Sequence, residues 1–142
     1  MNFERLKITS GKHWDVFLHE DQTTIGRLYF WYKGDASDLL DVSEEAFSEF
    51  YRTAKMIKDA LIGVFQPDMF NYLSLGNRTK HLHIHLIPRY SRELRLFDTT
   101  FKDAAYGSGY KRDLDLNITE EVLLKIKSLI IEALTNQNQL AN

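Results

Sequence analysis

The most informative part of this sequence reads His81-Leu82-His83-Ile84-His85-Leu86-Ile87-Pro88-Arg89. Histidine and apolar residues alternate strictly from position 81 to 86, which is the period of a β-strand. On a strand over 81–87 the three histidines share one face, with successive Cβ atoms about 6.5–7 Å apart. The intervening apolar residues face the other side, where a helix can cover them. Pro88 lacks an N–H and is expected to end the hydrogen-bonded ladder.

Three interpretations of the histidines are open at this point. In the first, the histidines are polar residues on a solvated sheet face. In the second, they are ligands of a metal such as Zn²⁺, which histidines two apart on a strand can share. The third interpretation is nucleophilic catalysis, because a neutral imidazole titrates near neutrality, attacks phosphorus readily and leaves again.

The charge around the histidines favours an anionic substrate. The window 78–95 holds five cations and one acid, a net charge of +4, whereas the rest of the chain carries −6. Such a positive strip suits a phosphate ester, and Arg89 is predicted to contact it. The alternative is a basic loop that faces solvent. The formal net charge of the whole chain is −2, which argues against general nucleic-acid binding.

The surrounding periodicity predicts an α+β fold on an antiparallel sheet. Strands are expected at 14–19, 24–32, 69–75 and 81–87. Apolar residues recur at helical spacing behind Ser43, a plausible N-cap, and predict a long helix over 43–65. A second helix is expected from Thr119 to 133, after about thirty irregular residues. The polar tail 135–142 is expected to fray.

Composition limits the protein classes further. The 142 residues are 44% hydrophobic and 27% charged, which is typical of one globular domain over 1–142. There is no cysteine, so disulfides, a cysteine nucleophile and thiolate metal sites are excluded. No apolar run approaches the about 20 residues of a membrane span, and the N-terminus has no signal-peptide pattern. We therefore expect a cytoplasmic protein that does not bind membranes.

The motif resembles the signature of the histidine triad (HIT) family, His-φ-His-φ-His-φ-φ with φ apolar. Residues His81 to Ile87 match it throughout. Within the family the chain looks most similar to short bacterial proteins of the diadenosine polyphosphate hydrolase-like type. The resemblance implies a HIT-like fold, with a five-stranded antiparallel sheet, one long helix and one C-terminal helix, in a homodimer.

The same resemblance implies nucleotide hydrolase or nucleotidyl transferase activity. His83 would be the nucleophile that attacks the α-phosphorus, through a nucleotidyl-histidine intermediate. His81 would orient His83, and His85 would contact the phosphate or the leaving-group oxygen. The substrate would be a dinucleoside polyphosphate or a nucleoside phosphoramidate. No cofactor or bound metal is required, although Mg²⁺ can accompany a polyphosphate.

Four further positions carry over from the family. Gly76-Asn77 stands where the family has Gly-Gln, so Asn77 is expected to contact phosphate or the bridging oxygen. The family pattern has a further asparagine upstream of the motif, and Asn71 lies near that position. Glu20, or equally Asp21, would bind the ribose hydroxyls. Arg27 replaces a fourth histidine and either binds phosphate or pairs with an acid.

Two alternatives to the hydrolase stay open on sequence alone. One is a nucleotide-binding module without catalysis, which the departures at Asn77 and Arg27 favour. The other is a metalloenzyme that uses the three histidines as ligands.

Overall fold

A computed structural model describes residues 2–141 of the chain, with the side chains of residues 2–138. Its strands are β1 (Lys7–Ser10), β2 (Trp14–Leu18), β3 (Leu28–Tyr32), β4 (Met69–Leu73), β5 (His83–Arg89), β6 (Leu94–Leu96) and β7 (Thr99–Phe101). The helices are α1 (Glu44–Phe65) and α2 (Glu120–Ala141), and short 3₁₀ turns cover Phe3–Leu6 and Leu39–Asp41.

Five of the strands form one antiparallel sheet in the order β1-β2-β3-β5-β4. The α+β fold with a five-stranded antiparallel sheet and two long helices is therefore confirmed. The strand over Lys7–Ser10 has no counterpart among the sequence-predicted strands. The remaining pair, β6 and β7, forms a separate hairpin inside the segment that was expected to be irregular.

The register of the central strands separates a core face from an open face. On the core face Val16 pairs with Phe30 and Phe30 with Ile84, and all three side chains are buried. Both helices contribute apolar residues to the same core cluster, including Ile57, Leu61, Ile126 and Ile130. The other face is therefore free to hold a site.

The long helix begins and ends where the sequence predicts. Ser43 Oγ accepts a hydrogen bond from the Ala46 N–H at 3.1 Å and caps the first turn. Gln66 takes the left-handed conformation (φ 55°) after the last turn, and Pro67 then prevents continuation. The second helix continues to Ala141 and includes the described part of the tail from Thr135.

The start of β3 differs from the sequence prediction. The strand expected over 24–32 begins only at Leu28, because residues 22–26 form a turn around the buried Gln22 side chain. Gln22 Nε2 donates to the His19 and Arg27 carbonyls at 2.7 and 2.8 Å, and Gln22 Oε1 accepts from Gly26 N–H at 2.8 Å. Gly26 has φ +94°, which a side chain would strain.

The prediction that Pro88 ends the motif strand is wrong. β5 continues to Arg89, and Phe70 of β4 pairs with Pro88. Backbone groups along the strand point alternately to its two neighbours. The Leu82 carbonyl accepts from β3 and the Arg89 carbonyl from the Asp68 N–H beside β4, so Pro88 faces β3. Because the β3 pairing stops at Leu86, no donor is needed at Pro88.

Neither helix within residues 2–141 has the length and apolar character to cross a lipid bilayer.

Candidate active site

The open face of the sheet forms the floor of a cavity of about 860 Å³. Two rows of paired residues cross it. Asp15 pairs with Trp31 and Trp31 with His83, and in the next row Phe17 pairs with Tyr29 and Tyr29 with His85. The rim is formed by the start of the chain, the turn before β3 and the loop after β4, with the residues Phe3, Glu4, His19, Arg27, Leu75, Gly76, Asn77, Arg78 and Thr79.

His83 is held in a defined tautomer by the backbone. Its Nδ1 lies 2.8 Å from the His81 carbonyl oxygen. A carbonyl oxygen can only accept, so Nδ1 carries the proton and donates it. In the neutral ring Nε2 then has a free lone pair. The His83 side chain lines the cavity.

His81 lies behind His83 and does not line the cavity. It precedes the first residue of β5, and its Nε2 donates to the Tyr32 carbonyl oxygen at 2.6 Å. Its ring stacks on Trp31, with centroids 4.5 Å apart and planes inclined by 20°. These contacts hold the His81 backbone, whose carbonyl orients His83. The expected alternation of faces holds from 81 to 86, although the strand itself starts at His83.

His85 lines the cavity beside His83, with ring centroids 5.0 Å apart and planes nearly perpendicular. Burial, the Arg27 charge and His83 lower the pKa of His85 to about 4. Its neighbour His19, which also lines the cavity, has its pKa lowered to about 3 by burial, Arg27 and His85. The neutral form of both rings is therefore favoured at neutral pH.

Arg27 lines the cavity and pairs with an acid. Its Nη1 donates to Asp21 Oδ2 at 2.8 Å, in a pair whose side chains are 11% and 9% exposed. Burial alone would raise the pKa of Asp21, but hydrogen bonds from Tyr110 and Thr23 and the Arg27 charge outweigh it, so this pKa is lowered.

The loop after β4 places Asn77 at the rim of the cavity. Gly76 has φ +64°, which suits glycine, and Asn77 next to it is exposed on the rim. Arg78 lines the cavity as well. It forms no ion pair with any other residue among 2–138.

Neither Arg89 nor Asn71, both expected to contact the substrate, lines the cavity. Arg89 is 2% exposed and uses all five of its N–H donors within the protein. Two of them go to the Asp103 carboxylate at 2.7 and 3.1 Å, and one goes to Asn71 Oδ1 at 2.8 Å. The last two bind the carbonyls of Ala105 and Ser108. No donor is left for a substrate.

The positive strip predicted around the motif is also dispersed. Of its five cations only Arg78 lines the cavity. Arg92 donates to the carbonyls of Phe65 and Gln66 beyond the end of α1, and Arg95 contacts Thr100 across the β6–β7 hairpin. The chain leaves the sheet after Arg89, so proximity in sequence does not bring these charges to the histidines.

Neither candidate ribose-binding acid lines the cavity. Glu20 is exposed and accepts from Arg5 Nη2 at 3.1 Å, and Asp21 is bound to Arg27, Thr23 and Tyr110. The carboxylates in the cavity wall are Glu4 and Asp15, which sequence reasoning missed. The alternation Asp15, Phe17, His19 along one strand was the available signal, because those positions share a face.

The metal-centre interpretation finds no support in the donor geometry. Within residues 2–141, no three histidine, aspartate or glutamate side chains come close enough together to hold an ion.

Comparison with known proteins decides the family. Residues 8–92, more than half of the chain, match the HIT domain. The chain belongs to the HIT domain family. The resemblance seen in the motif is thereby confirmed at family level. The comparison with curated proteins found no significant match.

Solved structures of HIT proteins share the fold. A histidine triad protein from Marinobacter aquaeolei is 21% identical, with a TM-score of 0.71, and the similarity covers 96% of both chains. A HIT family protein from Bacillus anthracis is 27% identical over 89% of this chain and 86% of its own, with a TM-score of 0.57. A hypothetical histidine triad nucleotide-binding protein from Sulfolobus tokodaii is 15% identical over 92% and 84%, with a TM-score of 0.68.

Proposed function

We propose that this HIT protein is a nucleotide hydrolase or nucleotidyl transferase that acts at the α-phosphorus of a nucleoside phosphate. The observation that carries the proposal is the hydrogen bond from His83 Nδ1 to the His81 carbonyl. It leaves the His83 Nε2 lone pair as the nucleophile on the cavity floor.

The reaction proceeds in two displacements at one phosphorus atom. His83 Nε2 forms an N–P bond while the bond from the α-phosphorus to the bridging oxygen, or to nitrogen in a phosphoramidate, breaks. The leaving group departs with that electron pair, and the nitrogen of a phosphoramidate takes up a proton from solvent as it leaves. In the second step the oxygen of water forms the new P–O bond and loses a proton to solvent, and the N–P bond returns its electrons to Nε2. The products are a nucleoside monophosphate and the leaving group.

The cavity suits such a substrate in size and in lining. Its volume of about 860 Å³ lies within the usual range for small-molecule sites, about 300–1,000 Å³. Arg78 and Asn77 stand on the rim near the histidines as charge and amide donor for a phosphate. The aromatic rings of Phe17, Tyr29 and Trp31 supply flat apolar surface for a base.

The finer assignments belong to the same proposal. The substrate is a dinucleoside polyphosphate or a nucleoside phosphoramidate, of the kind that diadenosine polyphosphate hydrolase-like proteins take. No cofactor is required, and Mg²⁺ can accompany a polyphosphate to offset its charge. Assembly into a homodimer and a cytoplasmic location remain predictions.

The test follows AMP release from diadenosine tetraphosphate and from adenosine phosphoramidate by chromatography. We expect turnover of at least one substrate, and a loss of about 10³-fold or more in His83→Ala, because a covalent nucleophile is removed. His13→Gln is the matched control. His13 lies 3.3 Å from Glu45, outside the cavity, so this variant should keep wild-type turnover.

Labelled water distinguishes the reacting phosphorus. In H₂¹⁸O the label should enter AMP and not the polyphosphate leaving group, and quenched enzyme should carry an acid-labile AMP adduct that His83→Ala lacks. Wild-type turnover in His83→Ala, or label in the leaving group, would contradict the mechanism. Tight nucleotide binding by wild type without any product would instead identify a binding module.

A further inference from the structure

Arg27 links His85 to the turn before β3. Its Nη1 is bound to Asp21, and its Nη2 lies 3.4 Å from His85 Nδ1. The arginine side chain is only 11% exposed, so its position is restricted by its neighbours. Its Nε is buried with no hydrogen-bond partner among the described residues, so the contacts of the two Nη atoms hold the guanidinium in place.

Tyr110 holds this arginine from the segment that follows the β6–β7 hairpin. The Tyr110 ring centroid lies 4.7 Å from Arg27 Cζ, and the Tyr110 hydroxyl donates to Asp21 Oδ2. The same segment is attached a second time, since the Asp113 N–H donates to Thr23 Oγ1 at 2.8 Å. Thr23 in turn donates to Asp21. These contacts join Arg27 and Tyr110 to the turn before β3 through Asp21 and Thr23.

The contact between Arg27 and His85 determines a tautomer. A guanidinium can only donate and does not lose its proton in a protein. His85 Nδ1 must therefore accept, which leaves the proton of the neutral ring on Nε2. His83 has the opposite arrangement, with the proton on Nδ1 and the lone pair on Nε2. The two adjacent rings thus offer one lone pair and one N–H donor.

We propose that Arg27, held by Tyr110, is a positioning residue that keeps His85 neutral with its proton on Nε2. His85 then works as a fixed hydrogen-bond donor for the phosphate or the leaving-group oxygen beside the His83 nucleophile. A histidine at position 27 could donate or accept and would leave the tautomer of His85 undetermined. The catalytic consequence rests on the proposed function, whereas the tautomer does not.

The other groups around His85 agree with a neutral ring. His83 of β5, His19 beside the turn and Tyr29 of β3 lie with ring centroids 5.0, 5.6 and 6.2 Å away, and β4 places only Leu73 opposite. His19 accepts the Asp21 N–H at Nδ1 and is neutral as well. A carboxylate in contact with His85 would favour its protonated form. Asp21, the acid of the turn before β3, is bound to Arg27 and not to His85.

The direct test is NMR spectroscopy of the imidazole nitrogens in ¹⁵N-labelled wild-type protein. Signals are assigned with His83→Gln and His85→Gln. At pH 7 we expect His85 to show a protonated Nε2 and an unprotonated Nδ1, and His83 to show the reverse. A protonated Nδ1 on His85, or a titration midpoint of His85 at or above pH 6, would overturn the proposal.

Variants test which residues impose this state. In Arg27→Met the titration midpoint of His85 should rise by at least one pH unit, and both tautomers of its neutral ring should appear. Tyr110→Leu should shift His85 in the same direction by less, and Tyr110→Phe, which keeps the ring on the guanidinium, by less again. Arg78→Met is the matched control, because it removes a cation of the same cavity that does not contact His85. Equal shifts in Arg27→Met and Arg78→Met, or none in Arg27→Met and Tyr110→Leu, would refute the assignment.

Kinetics then separates the two proposals. If wild type turns over substrate, kcat in Arg27→Met should fall by about 10²-fold, the effect of losing one oriented donor, while KM changes little. An unchanged kcat would contradict the catalytic part of the proposal. Absence of turnover in wild type would defeat the proposed function, and the NMR result would still decide the role of Arg27. Should Arg27→Met fail to fold, Tyr110→Leu carries the same test.

Discussion

Replacing Arg89 with methionine tests whether this arginine stabilises the fold or contacts a substrate. The side chains of Arg89 and Asp103 are 3% and 0% exposed and are joined by two hydrogen bonds. Methionine fills part of the arginine volume but has no charge and no donor. The variant therefore leaves the Asp103 carboxylate buried without its cation, together with the unpaired acceptors of Asn71, Ala105 and Ser108.

The expected loss in the free energy of unfolding is a large fraction of the total stability of a domain. Removing one partner of a buried ion pair costs about 3–5 kcal/mol, mainly because the other charge stays buried. A domain of this size has about 5–15 kcal/mol in total. Arg89→Lys keeps the charge but cannot form the bidentate pair with Asp103, so its loss of stability should be smaller, about 1–3 kcal/mol. It also provides a measurable variant if Arg89→Met does not fold.

The assay is urea unfolding at pH 7, combined with calorimetry of AMP binding to the folded variants. Arg95→Met is the control, since Arg95 makes one long hydrogen bond to Thr100 at 3.3 Å and should change stability by less than about 0.5 kcal/mol. The double variant Arg89→Met/Asp103→Leu should regain part of the loss, because no unpaired carboxylate remains.

The opposite pattern would refute the reasoning. A loss below about 1 kcal/mol in Arg89→Met, with AMP affinity reduced tenfold or more, would show that Arg89 contacts the ligand, as the charge of the sequence window suggested. A double variant less stable than Arg89→Met would show that Asp103 stabilises the fold without its arginine partner.

Two further predictions concern stability alone. Glu49 accepts the backbone N–H groups of Lys12, His13 and Trp14 at 3.0, 2.9 and 3.0 Å, so Glu49→Ala should cost about 2–3 kcal/mol in urea unfolding. Glu45 is an exposed residue on the same helix, and Glu45→Ala should cost less than about 1 kcal/mol. Equal losses of stability in the two variants would contradict the role of Glu49 as acceptor for the three N–H groups. Because the pKa of His19 is lowered to about 3, unfolded protein binds a proton that folded protein excludes, so stability should fall as pH drops below 6.5. Between pH 7 and 5 the part of the loss that comes from His19 should reach up to about 2 kcal/mol, and His85 adds to the loss in wild type because its pKa is lowered as well. His19→Asn does not titrate at this position and should lack the His19 part; identical pH dependence in both proteins would show that His19 is not responsible.

Local pattern was sufficient for the elements that carry the histidines. The alternation of His83, Ile84 and His85 predicted which side chains face the core, because side-chain direction on a strand follows from backbone geometry alone. The helix from Glu44 to Phe65 was likewise readable from its apolar spacing and its Ser43 cap. The motif also indicated the family, which the match over residues 8–92 confirmed.

Residue placement in the cavity depended on contacts between distant parts of the chain. Asp15 and Trp31 reach His83 only through the register of three strands, and Tyr110 reaches Asp21 across 89 positions. Arg89 follows the motif directly, yet its side chain is buried against Asp103. The periodicity of a strand specifies the face of a residue but not its neighbours on adjacent strands. Charge and proximity in sequence therefore placed Arg89 at the substrate, while packing of the later segment placed it in the interior.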